Sequence, residues 1–409
     1  MLPFKRMLGV QGMSKNIVIL CDGTSNEIGG DRTNVLRLYG ALERNARQHV
    51  FYDPGVGTFG MTGMLKRVRS WIKIRAGLAF GVGIDDNVLE AYRFLVEVYK
   101  PGDRIFAFGF SRGAYTVRLL TGFIRMVGLI SSDQLNLLDY AYRAYKRLDA
   151  GGGFGGEIRH YQKVLQARQI RIHFVGLWDT VSSVFEPRPT GFGLQLKQQP
   201  FTNQNDRIEI VRHAVAIDER RSMFRPSLWK PEQQYDYWSE AAQAFQKKPQ
   251  DFQEVWFAGC HGDVGGGNPE KDSGLAKVAL EWLFDEACAH GVEPNPDSAP
   301  MLVLGIGNPE YVAPDPLGPI NESLKGFFWR FVEFIPRRFS KTSTRKWPRL
   351  GPYYIPLGEP RKIDANAQIH VSVQKRIAAG GYNPPNLPNN PTFVPRRPES
   401  VSALAPPSA

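Results

Sequence analysis

The pentapeptide Gly109-Phe110-Ser111-Arg112-Gly113 constrains this chain more than any other stretch. A short apolar run, Arg104–Phe110, leads into it. Residues 114–124, with apolar Val117, Leu119, Leu120 and Ile124, lead out of it. Strand composition before and helical spacing after predict a sharp strand-to-helix turn with the serine at its tip. Glycines two residues to either side remove side chains that would collide across so tight a turn. The hydroxyl then stands at the carboxyl edge of a sheet, where it can serve as a nucleophile. With 41 glycines in 409 residues, the bland alternative is a glycine-rich turn carrying an idle serine, so the surroundings must decide.

Those surroundings alternate. Residues 16–20, 49–52, 170–177, 208–217 and 254–258 read as further strands, and 34–42, 86–99, 134–148 and 275–287 as helices. Asn16-Ile17-Val18-Ile19-Leu20 is apolar without alternation, the pattern of a strand covered on both faces. Strand-helix alternation of this kind predicts an α/β fold, a doubly wound and mostly parallel sheet. The expected organisation is a flexible start over 1–15, one catalytic domain over 16–380, and a tail over 381–409. Cap insertions are expected near 181–250 and 294–360. The aromatic stretch 224–250 is a candidate cap, and the tail, rich in Pro, Asn and Ser from Tyr382, is expected to be disordered.

Composition excludes several classes. Cys21, Cys260 and Cys288 are too few and too scattered for a disulfide framework or a zinc site. No apolar run is long enough to span a bilayer, and residues 1–13 make a poor signal peptide. The expected site of synthesis and folding is therefore the cytoplasm. The net charge of +11 is concentrated in two acid-free runs, Lys66 to Arg75 and Arg337 to Arg349. Such patches attract phosphate groups of lipid or nucleic acid, but no nucleic-acid motif accompanies them. Running into the second is Phe327-Phe328-Trp329 to Phe339, aromatic and carrying Arg330, Arg337 and Arg338, too short to span a bilayer but suited to its interface.

Three residues lie just past predicted strands in the order Ser111, Asp179, His261. A serine needs a base to take its proton. Histidine titrates near neutrality and can take and return that proton. A carboxylate fixes the imidazole tautomer. Chain order Ser, Asp, His is that of α/β-hydrolases. The intermediate's oxyanion needs donors. The backbone N–H of Arg112 is one, and Gly23 or Thr24, on the polar loop after the first strand, supplies the other. Other readings compete. Gly55-x-Gly57-x-x-Gly60 has a nucleotide-loop pattern but lacks the following helix and acidic strand end. Asp22, Asp179, His261 and Asp263 supply metal-ligand types without a short ligand motif, so neither a metal nor a cofactor is expected. His173 reads as a packed core histidine, and Asp218-Glu219-Arg220-Arg221 as a structural ion-pair cluster. A hydrolase fold retained only for binding is the remaining alternative.

Six runs in fixed order carry a family resemblance. They are Cys21-Asp22-Gly23-Thr24-Ser25-Asn26, Asp53-Pro54-Gly55-Val56-Gly57-Thr58, Gly109-Phe110-Ser111-Arg112-Gly113-Ala114-Tyr115, Leu177-Trp178-Asp179-Thr180-Val181, Ala216-Ile217-Asp218-Glu219-Arg220-Arg221 and His261-Gly262-Asp263-Val264-Gly265-Gly266-Gly267. Over residues 16–290 the chain resembles the α/β-hydrolase family that includes the type VI secretion phospholipase effectors. The resemblance implies a lipase of phospholipase A type. Ser111, Asp179 and His261 match the family's triad, and phospholipid or another acyl ester is the implied substrate. It also implies peripheral membrane contact, export into rival bacteria, and partners among secretion-machinery or immunity proteins.

Overall fold

The computed structural model describes residues 14–23, 31–55, 83–148, 156–181, 185–187, 194–196, 200–239, 242–325, 327–338, 343–345 and 349–395. Eight strands form its central sheet: β1 (Asn16–Cys21), β2 (Gln48–Asp53), β3 (Arg104–Phe110), β4 (Ile172–Trp178), β5 (Ile208–Ala216), β6 (Asp251–Phe257), β7 (Gln368–His370) and β8 (Thr392–Val394). Their order is β2-β1-β3-β4-β5-β6-β7-β8, and every neighbouring pair is parallel. The expected α/β sheet is present, and parallel throughout. The chain steps outward from β1 to β2, then returns to the other side of β1 as β3. That reversal makes a switch point between β1 and β3, and ligand crevices of such sheets open at the carboxyl ends there.

The helices are α1 (Asn34–Ala41), α2 (Ile84–Val98), α3 (Arg112–Val127), α4 (Leu138–Lys146), α5 (Gly156–Leu165), α6 (His261–Gly265), α7 (Gly274–Ala289), α8 (Ala299–Leu304), α9 (Phe327–Val332) and α10 (Val371–Ala378). Two layers flank the sheet. Ile17, Ile19 and Cys21 of β1 join Val88 and Tyr92 of α2, Leu120 and Phe123 of α3, and Leu138 of α4 in one core. Val18 and Leu20 turn the other way, onto Leu38 of α1, Leu283 of α7 and Val303 of α8. Alternate side chains of one strand thus feed two cores, and hence the unbroken apolar run in the sequence. Each fully buried Leu or Phe removes enough apolar surface to contribute about 1.5–3 kcal/mol. A smaller third core, with Val215, Trp256, Ile369 and Val373, closes the β7 side.

Four sequence expectations need correction. Residues 134–148 are a 3₁₀ turn, Ser132–Leu137, followed by α4, not one helix. Of the aromatic stretch 224–250, expected as a cap, Phe224 reaches the His261 ring, but the hairpin that follows does not cover Ser111. Gln234–Ser239 and Ala244–Pro249 form an antiparallel hairpin. Its Phe245 ring lies under Arg171 and Arg207, which precede β4 and β5, so the hairpin sits at the amino ends of the strands. Residues Ala244–Pro249 are exposed all along, so no buried face imposed a readable period. Residues 382–395 were expected to be disordered. Instead Tyr382 donates to Asp218, Asn386 to the Ile217 carbonyl, and β8 pairs with β7. Docking on the sheet edge orders this segment, with Tyr382, Leu387 and Phe393 packed against the third core, and 396–409 lie outside the described residues. At the start, Ser14 and Lys15, counted with the flexible N-terminus, are tied to Gly102 and Asp103.

Candidate active site

Parallel register sets the strand ends in a row. Cys21 pairs with Gly109, Phe110 with Trp178, and Trp178 with Ala214. Ser111 and Asp179 each follow the last residue of neighbouring strands, and His261 follows β6 by four residues. All three therefore leave the sheet by one edge.

The turn at Ser111 has the strained geometry expected of it. Ser111 adopts φ 58°, ψ −119°, a conformation that side chains other than glycine rarely take. A Cβ on Gly113 would lie 2.1 Å from the Cys21 carbonyl oxygen, and one on Gly109 would lie 2.6 Å from the Gly113 backbone. Both glycines are thus forced by backbone packing. Ser111 occupies the N-cap position of α3, where a serine ordinarily bonds a backbone N–H of the first turn. Its side chain makes no such bond. Its Oγ lies 2.8 Å from His261 Nε2 instead.

His261 Nδ1 lies 2.5 Å from Asp179 Oδ2. An ionised carboxylate only accepts, so Nδ1 carries the proton and Nε2 is left to accept from the Ser111 hydroxyl. The three residues are buried, Asp179 completely. Burial lowers the His261 pKa, against the pull of the Asp179 hydrogen bond and charge. Burial alone would raise the Asp179 carboxyl. The Arg361 charge and the bonds from His261 and Arg361 outweigh it and hold the group far below the ordinary carboxylate range. The arrangement at neutral pH is therefore an ionised aspartate, a neutral imidazole and a hydroxyl in one hydrogen-bonded line.

Arg361 is the site's unforeseen member. Its Nη1 lies 2.6 Å from Asp179 Oδ1, and its Nη2 2.9 Å from Oδ2. The expected ion-pair cluster is also here. Glu219 takes Arg221 bidentately at 2.9 and 2.8 Å, and accepts the His261 backbone N–H at 3.2 Å. Asp218 accepts the Gly259 N–H. These groups hold the histidine loop against the end of β5, so the cluster is structural and borders the site.

Arg112 lies in the first turn of α3, whose backbone N–H groups have no acceptor within the helix. Burial pulls its guanidinium down to about 10. The Gly23 N–H already donates to Asp22 Oδ1 at 2.6 Å. Thr24 lies outside the described residues, as do Gly57, Gly60 and the basic run Lys66 to Arg75. The four metal-ligand candidates do not assemble. Asp22 accepts from Thr33 and Tyr52, and Asp263 from Cys260 and Asn321. Among the described residues no group of three His, Cys, Asp or Glu is placed to hold a metal. His173 bonds Glu209 and the His290 carbonyl near the start of β4, half-buried and remote from Ser111.

Aromatic rings surround the histidine. Phe110 lies 4.6 Å from His261 between ring centres, and Phe224 lies 4.9 Å away edge-on. Trp329 of α9 meets Phe224 at 5.5 Å, and Arg221 stacks over Phe224 at 3.8 Å. Beyond Trp329 the same segment turns Phe331 (59%), Phe334 (60%) and Ile335 (47%) to solvent. Glu333 anchors it by accepting from the N–H and Oγ of Ser222. No helix of the described residues is long and apolar enough to cross a membrane.

A parallel α/β sheet with a strained serine at its switch point, hydrogen-bonded to a histidine, defines an α/β-hydrolase-like protein. The chain belongs to the family described as "T6SS, Phospholipase effector Tle1-like, catalytic domain", whose model matches residues 15–286. It is 32% identical over 232 residues to an uncharacterised protein of Saccharomyces cerevisiae, covering 53% of this chain and 33% of that protein. Among solved structures, an uncharacterised protein from Pseudomonas aeruginosa is similar at 17% identity and TM-score 0.38, covering 70% of this chain and 47% of that one. The Tle1 effector bound to the VgrG spike of the type VI secretion system is similar at 18% identity and TM-score 0.34, covering 65% and 53%. The chain thus spans a third of the yeast relative and about half of each solved chain.

Proposed function

We propose that this protein is a serine hydrolase that cleaves acyl ester bonds of phospholipids through Ser111, His261 and Asp179. The observation that carries the reading is His261 standing between the two partners, 2.8 Å from the Ser111 hydroxyl and 2.5 Å from the Asp179 carboxylate. Family membership supplies the substrate class.

Ser111 Oγ attacks the ester carbonyl carbon while His261 Nε2 takes the hydroxyl proton. Asp179 stabilises the imidazolium that results. The tetrahedral oxyanion accepts from the Arg112 N–H. Gly23 serves as second donor only by exchanging Asp22 Oδ1 for the oxyanion, and Thr24 is the other residue expected there. The intermediate collapses to an acyl-enzyme, and the lysolipid alcohol leaves with the proton from His261. Water activated by the same imidazole then releases the fatty acid and restores Ser111.

The exposed Phe331, Phe334 and Ile335, joined through Trp329 and Phe224 to His261, support insertion of that edge into a bilayer interface. Membership supports export by type VI secretion. Purified protein and its Ser111→Ala variant, assayed on phosphatidylglycerol and phosphatidylethanolamine vesicles, test the reading. The variant is expected to remain folded, to lose fluorophosphonate labelling, and to hydrolyse roughly 10⁴–10⁶-fold more slowly. Undiminished turnover by folded Ser111→Ala defeats the proposal.

A further inference from the structure

We propose that Arg361 is a positioning residue that clamps the Asp179 carboxylate in register with His261 and restrains how readily His261 takes a proton. The proposal rests on the serine-hydrolase reading and extends it to a segment beyond the family-matched residues 15–286.

Four donors reach the Asp179 carboxylate. Oδ1 accepts from the Ala216 N–H at 3.0 Å and from Arg361 Nη1, and Oδ2 from His261 Nδ1 and Arg361 Nη2. A carboxylate offers about four acceptor directions, so this one is saturated and has no freedom to turn. The planar guanidinium matches both oxygens at once, which a lysine ammonium cannot do. Arg361 is itself fixed. Its Nη1 also donates to the Ala216 carbonyl, its Nη2 to the Phe224 carbonyl, and its own carbonyl accepts from Asn386. The pair is almost wholly buried, with side chains 4% and 0% exposed, so water cannot replace a lost partner.

The charge of Arg361 matters as much as its shape. An aspartate that faced the imidazole alone would add a full negative charge beside it and favour the imidazolium. Arg361 offsets that charge, so His261 stays neutral, and able to act as a base, to lower pH. The other groups around His261 are Glu219 and Arg221 after β5, Ser111 after β3, Cys260 at the N-cap of α6, and Asp263 within α6. Glu219 and Arg221 pair with each other and largely cancel. His213 also senses Asp179. Its Nδ1 bonds Glu254, its Nε2 accepts the Thr180 N–H, and burial lowers its pKa. Arg361 is therefore the cation in direct contact with the acid of the relay.

The sign follows. Loss of the guanidinium raises the His261 pKa, so activity falls away at higher pH on the acid side. The test uses wild type, Arg361→Lys and Arg361→Met, each checked for folding by circular dichroism and thermal unfolding. It reads kcat and KM on p-nitrophenyl butyrate and the rate of fluorophosphonate labelling, from pH 4.5 to 9. For Arg361→Met, kcat is expected to fall on the order of 10- to 100-fold. Its acid midpoint should move up by about one pH unit. Arg361→Lys keeps the charge but loses the two-point fit, so its kcat falls several-fold while its midpoint and KM stay. An unmoved midpoint in folded Arg361→Met overturns the proposal. Should Arg361→Met not fold, Arg361→Lys decides, and wild-type kcat there overturns it. Absence of labelling in wild type refutes the hydrolase reading itself, whereas labelling with an unmoved midpoint refutes only the role of Arg361.

Discussion

The sheet from β2 to β6 and the segment that follows residue 286 build the same site by different means. In the first, backbone does the placing. Strand register and the close approach of Gly113 to Cys21 bring Ser111 and Asp179 to one edge. In the second, side chains do it. Arg361 grips Asp179, Asn386 grips Arg361, and Trp329 leans on Phe224. The difference teaches that a site can be laid out by one region and tuned by another. Damage to the first should remove fold and chemistry together. Damage to the second should change rate, pH response or substrate access in a protein that still folds.

Three variants can break or sharpen that contrast. The largest effect is expected at Gly113→Ala. Its new Cβ would meet the Cys21 and Asp22 carbonyl oxygens, which belong to backbone and cannot swing away. A loss of about 3 kcal/mol or more should appear in urea unfolding. A folded, active protein of wild-type stability would break the comparison. A middle effect is expected from Phe331→Ser combined with Phe334→Ser, both side chains being more than half exposed. Hydrolysis of vesicle phospholipid should fall about 10-fold, with the soluble ester turned over as before. Equal losses on both substrates would assign these rings to the fold. The smallest effect belongs to Asn386→Ala, which removes the donors to Ile217 and Arg361. Stability should drop by about 1 kcal/mol. The acid midpoint should shift in the same direction as for Arg361→Met and by less. A shift the other way would separate Asn386 from the clamp.

Sequence carried the backbone-placed half well. Ser111, Asp179 and His261 each stand just past an apolar run bounded by small or polar residues, and a parallel sheet sends such positions to one edge. The side-chain-placed half was hidden. Arg361 lies in a loop that has no apolar period, and its partner is 182 residues away in the chain. Only the tertiary contact reveals it. The aromatic composition of 327–339 suggested an interface, but nothing local indicated that Trp329 would stand two rings from His261. β8 spans three residues amid Pro and Asn, too short for alternation to register. The hairpin of Gln234–Ser239 with Ala244–Pro249 was illegible for a related reason, since an aromatic strand with an open face resembles a cap until its neighbours are known.

The late position of Arg361 has a consequence during translation. A ribosome delivers Ser111, Asp179 and His261 well before it delivers the arginine, so the nascent chain passes through a stage with the relay acid ungripped. The proposed hydrolase therefore completes its grip on Asp179 only once residue 361 has emerged, and Asn386, which holds that arginine, follows later still.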